Sequence, residues 1–165
     1  MSQSGLLDPG RDADWDVWYR DHLRIMASVN GVDSAQRFKT GTPGYSPSLA
    51  MYTMESAAVF EDPYYQSIRG LGEFQTLIDR RYYHRNLFAG LDLAPAVAEH
   101  QVLLVWDAAQ PSELPGLLFT WLEAVAVDKS TPFRGIAVIE AAQAPQRFET
   151  ANVARYLPAT QVYHK

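Results

Sequence analysis

The segment from Trp15 to Val29 constrains the fold most strongly, because its large apolar residues recur three and four positions apart. That spacing places them on one face of an α-helix, and such a face has to be buried against another element. Asp12 and Asp14 suit the amide-rich start of a helix, and Asn30-Gly31 favours the left-handed conformation that ends one. The sequence therefore predicts a long amphipathic helix between these two signals.

This helix carries an ionisable imidazole among aromatic rings. Trp15, Trp18, Tyr19 and His22 lie on or beside a single stripe. A histidine in such a position is either a core residue satisfied by a hydrogen bond or a proton-transfer group in an aromatic pocket, since imidazole titrates near neutrality. The sequence leaves both interpretations open.

Composition excludes several classes of site. The chain of 165 residues is long enough for one compact domain, and it has no cysteine, which excludes disulfides, thiolate nucleophiles and cysteine-ligated metals. A net charge of −5 with dispersed Lys and Arg argues against a nucleic-acid partner. We see neither a secretory signal nor an apolar run of membrane-span length, so the expectation is a cytoplasmic protein without a membrane partner.

The first half of the chain is predicted to follow the order strand, helix, strand, strand, helix, strand. The strands are expected at residues 5–7, 32–39, 48–54 and 82–88, and the second helical region includes residues 74–78. This order is typical of an α+β fold, the ferredoxin-like βαββαβ unit, in which both helices cover one face of an antiparallel sheet.

The second half is interpreted as an abbreviated repeat of the first. We predict strands at residues 101–106 and 133–140, a helix from Ser112 to Val125, and one or two edge strands within residues 153–163. The domain prediction is a ferredoxin-like unit at residues 1–92 and an abbreviated second unit at residues 93–165, sharing one core in a single compact domain.

Several short motifs carry a resemblance to a known superfamily. They are Trp18-Tyr19-x-x-His22, Gly31-Val32-x-Ser34-Ala35-x-Arg37-Phe38, Leu49-Ala50-Met51-Tyr52, and Tyr64-Tyr65 before Gly70. Together they resemble a loosely characterised Trp-Tyr-x-x-His subgroup of the dimeric alpha-beta barrel proteins. The resemblance implies a homodimer, paired ferredoxin-like sheets, and a ligand cavity between a sheet and its own helices. His22 occupies the motif histidine, and Tyr19, Arg37 and Tyr52 occupy its aromatic and basic positions.

Proton transfer is the chemistry that such a cavity would offer. A histidine base beside a phenol or a guanidinium can take a proton while the partner stabilises the oxyanion that develops. The candidate catalytic residues are His22, Tyr52, His84 and Arg37, and the candidate substrate-binding residues are Trp18, Tyr19, Tyr65, Arg85 and Phe88.

The function predicted from the sequence is a cofactor-independent enzyme that moves protons on a hydrophobic, aromatic or polyketide-like molecule. Isomerisation, cyclisation, dehydration and decarboxylation all fit, so the enzyme would be a lyase or isomerase of aromatic compound metabolism. The alternative is a non-catalytic ligand-binding or assembly protein, and haem binding by His22 or His84 is a third option. No metal is expected, because the four histidines show no close pairing.

Overall fold

The computed structural model of the protein describes residues 1–145, 148 and 152–165, and within these ranges it contains nine strands and two α-helices. The helices are α1 (Asp12–Ala27) and α2 (Pro63–Ile68). The strands are β1 (Ser2–Ser4), β2 (Val32–Lys39), β3 (Ser48–Met54), β4 (His84–Ala89), β5 (Gln101–Ala108), β6 (Thr120–Val127), β7 (Phe133–Glu140), β8 (Val153–Pro158) and β9 (Tyr163–His164). Short 3-10 turns lie at Pro9–Arg11, Ala57–Glu61 and Gly72–Thr76.

Eight of the strands form a closed antiparallel barrel. Around the barrel the order is β3-β1-β4-β6-β7-β5-β8-β2, and β2 pairs again with β3 to complete the ring. The short strand β9 pairs with the start of β2, beside β8, which pairs with the end of β2. Closure gives every strand of the ring two neighbours and so removes the unpaired edges of an open sheet.

The predicted fold class is therefore wrong. The ferredoxin-like α+β unit, its abbreviated second copy and the dimeric alpha-beta barrel type are all replaced by one β-barrel, which closes within a single chain. A two-layer unit needs a second long helix, whereas α2 has six residues and is followed by Gly70 at a φ of +114°. The division at residue 92 stays a prediction; β1–β4 precede it and β5–β9 follow it.

The helix predicted from Ser112 to Val125 is also wrong. Pro115 and Gly116 interrupt it, because proline donates no backbone hydrogen bond and Gly116 has a φ of +81°. The chain forms a loop there and then enters β6, in which Leu122 and Ala124 are buried and their neighbours in the sequence are not. Leucine spacing alone predicts a helix here, but strand period governs residues 120–127.

The predictions of the helix α1 and of three strands are confirmed. α1 begins at Asp12 and ends at Ala27, while β2, β3 and β7 occupy the predicted residues. Gly31 has a φ of +79°, and a Cβ there would lie 2.7 Å from Cγ2 of Val59, so both conformation and space require glycine. The first strand lies at residues 2–4 instead of 5–7, since Leu6 makes only a single bridge, to Ile78.

The barrel has an apolar interior and one helix against its outer wall. Alternate residues of β2 and β3 point to opposite sides, so that Phe38 and Met51 join the interior core while Ala35 and Ala50 contact α1. This contact fixes the position of α1 relative to β3. Within the described ranges, none of the helices combines the length and apolarity that crossing a bilayer requires.

Candidate functional site

A cavity of about 310 Å³ lies between α1, α2, β3 and β4. Residues 51–54 of β3 and 85–88 of β4 line it, so both faces of each strand contribute. The short strand β1 lies between β3 and β4, but it pairs only with residues 48–50 of β3 and residues 84–85 of β4. Past these residues no strand of the described chain lies between β3 and β4, and the cavity passes through there. Its volume is at the lower end of the range for small-molecule sites.

His22 lines this cavity from α1. Its partly buried ring stacks on Trp18 with the centroids 4.5 Å apart and the planes 14° apart, and it meets Tyr19 edge-on at 5.9 Å. Burial lowers the pKa of His22 to about 4, because the surroundings disfavour the charged imidazolium. The ring is therefore neutral at pH 7 and keeps a nitrogen lone pair that can accept a proton or a hydrogen bond.

Four phenol groups line the same cavity. Tyr19 comes from α1, Tyr52 from β3 and Tyr65 from α2, while Tyr83 precedes β4. Tyr19 and Tyr65 both affect the pKa of Tyr52, and Tyr83 affects the pKa of Tyr19 and of Tyr65. Burial raises the pKa of Tyr19, Tyr52 and Tyr65, so these hydroxyls stay protonated and can donate hydrogen bonds at neutral pH.

Arg37 lies behind the cavity instead of in it. Its guanidinium is almost fully buried between α1 and the barrel, 4.3 Å from the ring centroid of Tyr19. Nη1 donates to Oδ1 of Asp16 at 2.7 Å and Nε donates to Oγ of Ser48 at 2.9 Å. Its positive charge partly offsets the effect of burial on the pKa of Tyr19. Arg37 therefore acts on the cavity indirectly, through the effect of its charge on Tyr19 and Tyr52.

The structure brings most of the predicted site residues together. The cavity lining includes Tyr19, His22, Tyr52, Tyr65, Arg85 and Phe88. Trp18 lies outside the lining and supports His22 by stacking, and His84 also lies outside it. The roles predicted for these residues stay predictions.

Sequence reasoning missed Arg69 and Tyr83. Arg69 follows Tyr65 by four residues, so a helical turn places the two side chains on one side of α2, and that spacing could have identified it. Tyr83 precedes β4, and only the pairing of β4 with β1 and β6 fixes its position. No comparable signal exists for it in the sequence.

We expect the free energy of unfolding to fall as the pH is lowered from 6.5 to about 4. Over this range the unfolded chain binds more protons, because its histidine has a pKa near 6.5 whereas that of His22 in the fold is about 4. The loss is at most about 3 kcal/mol and is reduced by water that reaches the partly exposed ring. Urea unfolding at pH 4, 5, 6 and 7 measures it. A His22→Gln variant with the same pH dependence would contradict this assignment.

The chain matches no family model, no curated protein and no solved structure. The resemblance to the dimeric alpha-beta barrel proteins is thus not supported by any match, and the closed β-barrel contradicts it. In the described part of the chain, no group of three or more His, Asp or Glu side chains is placed to hold a metal ion.

Proposed function

We propose that the protein binds a hydrophobic, aromatic or polyketide-like molecule in this cavity and catalyses proton transfer on it without a cofactor. One observation carries the proposal: a neutral histidine and several protonated phenols line the same cavity. The neutral imidazole is the proton acceptor, and the phenols are the hydrogen-bond donors that a developing oxyanion needs.

In this reaction His22 and the cavity phenols have separate roles. His22 removes a proton from a carbon next to a carbonyl group, and the electrons of the broken C–H bond move into an enolate. The enolate oxygen accepts hydrogen bonds from the cavity phenols, among them Tyr52. The imidazolium returns the proton to another atom of the same molecule, which completes an isomerisation, or to a leaving group.

Binding without turnover is the second candidate function. The observation that favours it is the low pKa of His22, because a base with a pKa of about 4 accepts protons weakly at pH 7. The two functions differ in whether protons are exchanged, and that difference can be measured. Haem binding stays an untested third option, which visible absorbance after haem addition would check.

The test is hydrogen exchange at the α-carbon of 2-tetralone in D₂O, followed by ¹H NMR. We expect the protein to accelerate exchange above that caused by an equal concentration of free imidazole. Tyr52→Phe should slow the catalysed exchange by roughly 10²-fold, the lower end of what losing one oxyanion donor costs, because three phenols remain. Exchange no faster than with imidazole would contradict the proposal and favour binding alone.

The predicted homodimer and the cytoplasmic location stay predictions from the sequence. The barrel closes without a second subunit, so the site as described requires residues from one chain only.

A further inference from the structure

Two guanidinium groups lie on the cavity together. Arg69 follows the last residue of α2 and Arg85 belongs to β4; both side chains line the cavity and both residues are solvent-exposed. Tyr65 lies close to both, since each of the two charges lowers its pKa against the effect of burial. The two cations and Tyr65 therefore line the same cavity, and both charges act on the Tyr65 hydroxyl.

Nothing described in the cavity neutralises these charges. The lining residues include no aspartate or glutamate. Asp128 accepts from the backbone N of Arg85 at 2.7 Å, but in the described ranges neither Arg69 nor Arg85 forms a side-chain ion pair. Arg37 and Arg134, by contrast, each pair with an aspartate. Two like charges that share a cavity repel each other unless an anion binds between them.

A further part of the cavity lining is apolar. It consists of methionine, leucine and phenylalanine side chains from the strands, α1 and the β4–β5 connection. An apolar surface of this kind suits a hydrophobic ring system, and the described lining has no further arginine or lysine for a highly charged ligand. The lining residues of this apolar part are Met26, Met51, Phe60, Leu87, Phe88, Leu91 and Leu122.

We propose that the ligand is an aromatic carboxylic acid whose carboxylate is held by Arg69 and Arg85, with Tyr65 donating a hydrogen bond. The ring system lies against the apolar wall, beside His22. Guanidinium groups suit this task because their fixed donors match the two oxygens of a carboxylate. The inference rests on the proposed function, since it assigns the class of molecule on which His22 acts.

The experiment compares 2-naphthoate with 2-naphthamide by titration calorimetry at low salt. The two probes have the same shape and differ in charge. We expect the protein to bind the carboxylate at least about 10-fold more tightly, as charge-assisted hydrogen bonds require. Arg69→Gln and Arg85→Gln should each remove most of this preference. Arg20→Gln, an equal change of charge at an exposed α1 residue outside the lining, should keep it.

Equal binding of the two probes, or a preference that survives both arginine substitutions, would overturn the carboxylate site. This failure is distinguishable from failure of the proposed function, because 2-tetralone is uncharged and its exchange reports on proton transfer without requiring a carboxylate site. Catalysed exchange without a charge preference removes the carboxylate site only. A charge preference without catalysed exchange leaves the carboxylate site in place and removes proton transfer. Failure of both probes to bind overturns the site.

Discussion

Replacing His22 by Gln is expected to slow the catalysed exchange of 2-tetralone by about 10²–10⁴-fold, the usual contribution of a general base. Glutamine retains a polar side chain of similar length but accepts no proton at neutral pH. His22 supplies the imidazole base of the described lining; the other ionisable groups there are phenols, guanidiniums and the N-terminal amine of Met1, whose pKa burial lowers to about 5 and which donates to the backbone O of Asn86 at 2.8 Å. Loss of His22 therefore removes the imidazole proton acceptor from the cavity.

The control for this prediction separates chemistry from binding and folding. His100→Gln makes the same change at an exposed histidine beside Glu140, and it should leave exchange unaltered. Binding of 2-naphthamide by the His22→Gln variant should stay within about twofold, and its circular dichroism should match that of the unaltered protein. A variant that binds, folds and still catalyses exchange at the original rate would show that His22 is not the base.

Replacing Asp107 by Ala is expected to lower the free energy of unfolding by about 3–5 kcal/mol, because it leaves a buried cation without its partner. Arg134 is fully buried inside the barrel, and its Nε and Nη2 donate to the two Asp107 oxygens at 2.6 and 2.8 Å. Nη2 also donates to Oε1 of Gln3 at 2.7 Å. The Arg134 guanidinium lies 5.1 Å from the ring centroid of Phe88, which lines the cavity, so the loss should also weaken ligand binding.

Urea unfolding at pH 7 measures this change. Asp21→Ala removes the partner of Arg24 in an exposed pair, with side-chain exposures of 67% and 61%, and should cost about 1 kcal/mol or less. A double variant, Asp107→Leu with Arg134→Met, should recover most of the lost stability, since apolar side chains can replace a buried ion pair. An Asp107→Ala variant as stable as the Asp21→Ala variant would show that the interior tolerates the unpaired charge.

Much of the first half of the fold could be predicted because its signals are local. The aromatic stripe that begins at Trp15 depends only on helix period. The end of the helix depends on the backbone freedom of one residue, Gly31. The alternation in β2 and β3 likewise depends on neighbours in the chain. In the second half the spacing of Leu117, Leu122 and their neighbours satisfies helix period over a segment in which pairing with β4 and β7 imposes strand geometry.

The candidate site likewise has a part that local sequence signals predict and a part that depends on tertiary structure. Tyr19 and His22 share one face of a helix, so helix period alone brings them together. Arg37 was predicted in the cavity because it occupies the basic position of the resembling motif, but the helix covers it and Asp16 pairs with it. Which side of a strand meets a cavity depends on register, and a shift of one residue reverses it.

The sequence by itself determined the helix α1, its aromatic stripe with His22, and most of the individual strands. Only the tertiary structure decided that these strands close into one barrel and that Tyr83, Arg69 and Arg85 meet His22 at one cavity. The physical reason is that helix and strand periods act between residues a few positions apart. Closure and the convergence of side chains depend on hydrogen bonds between strands that are far apart in the chain, such as β4 with β6 and β2 with β8.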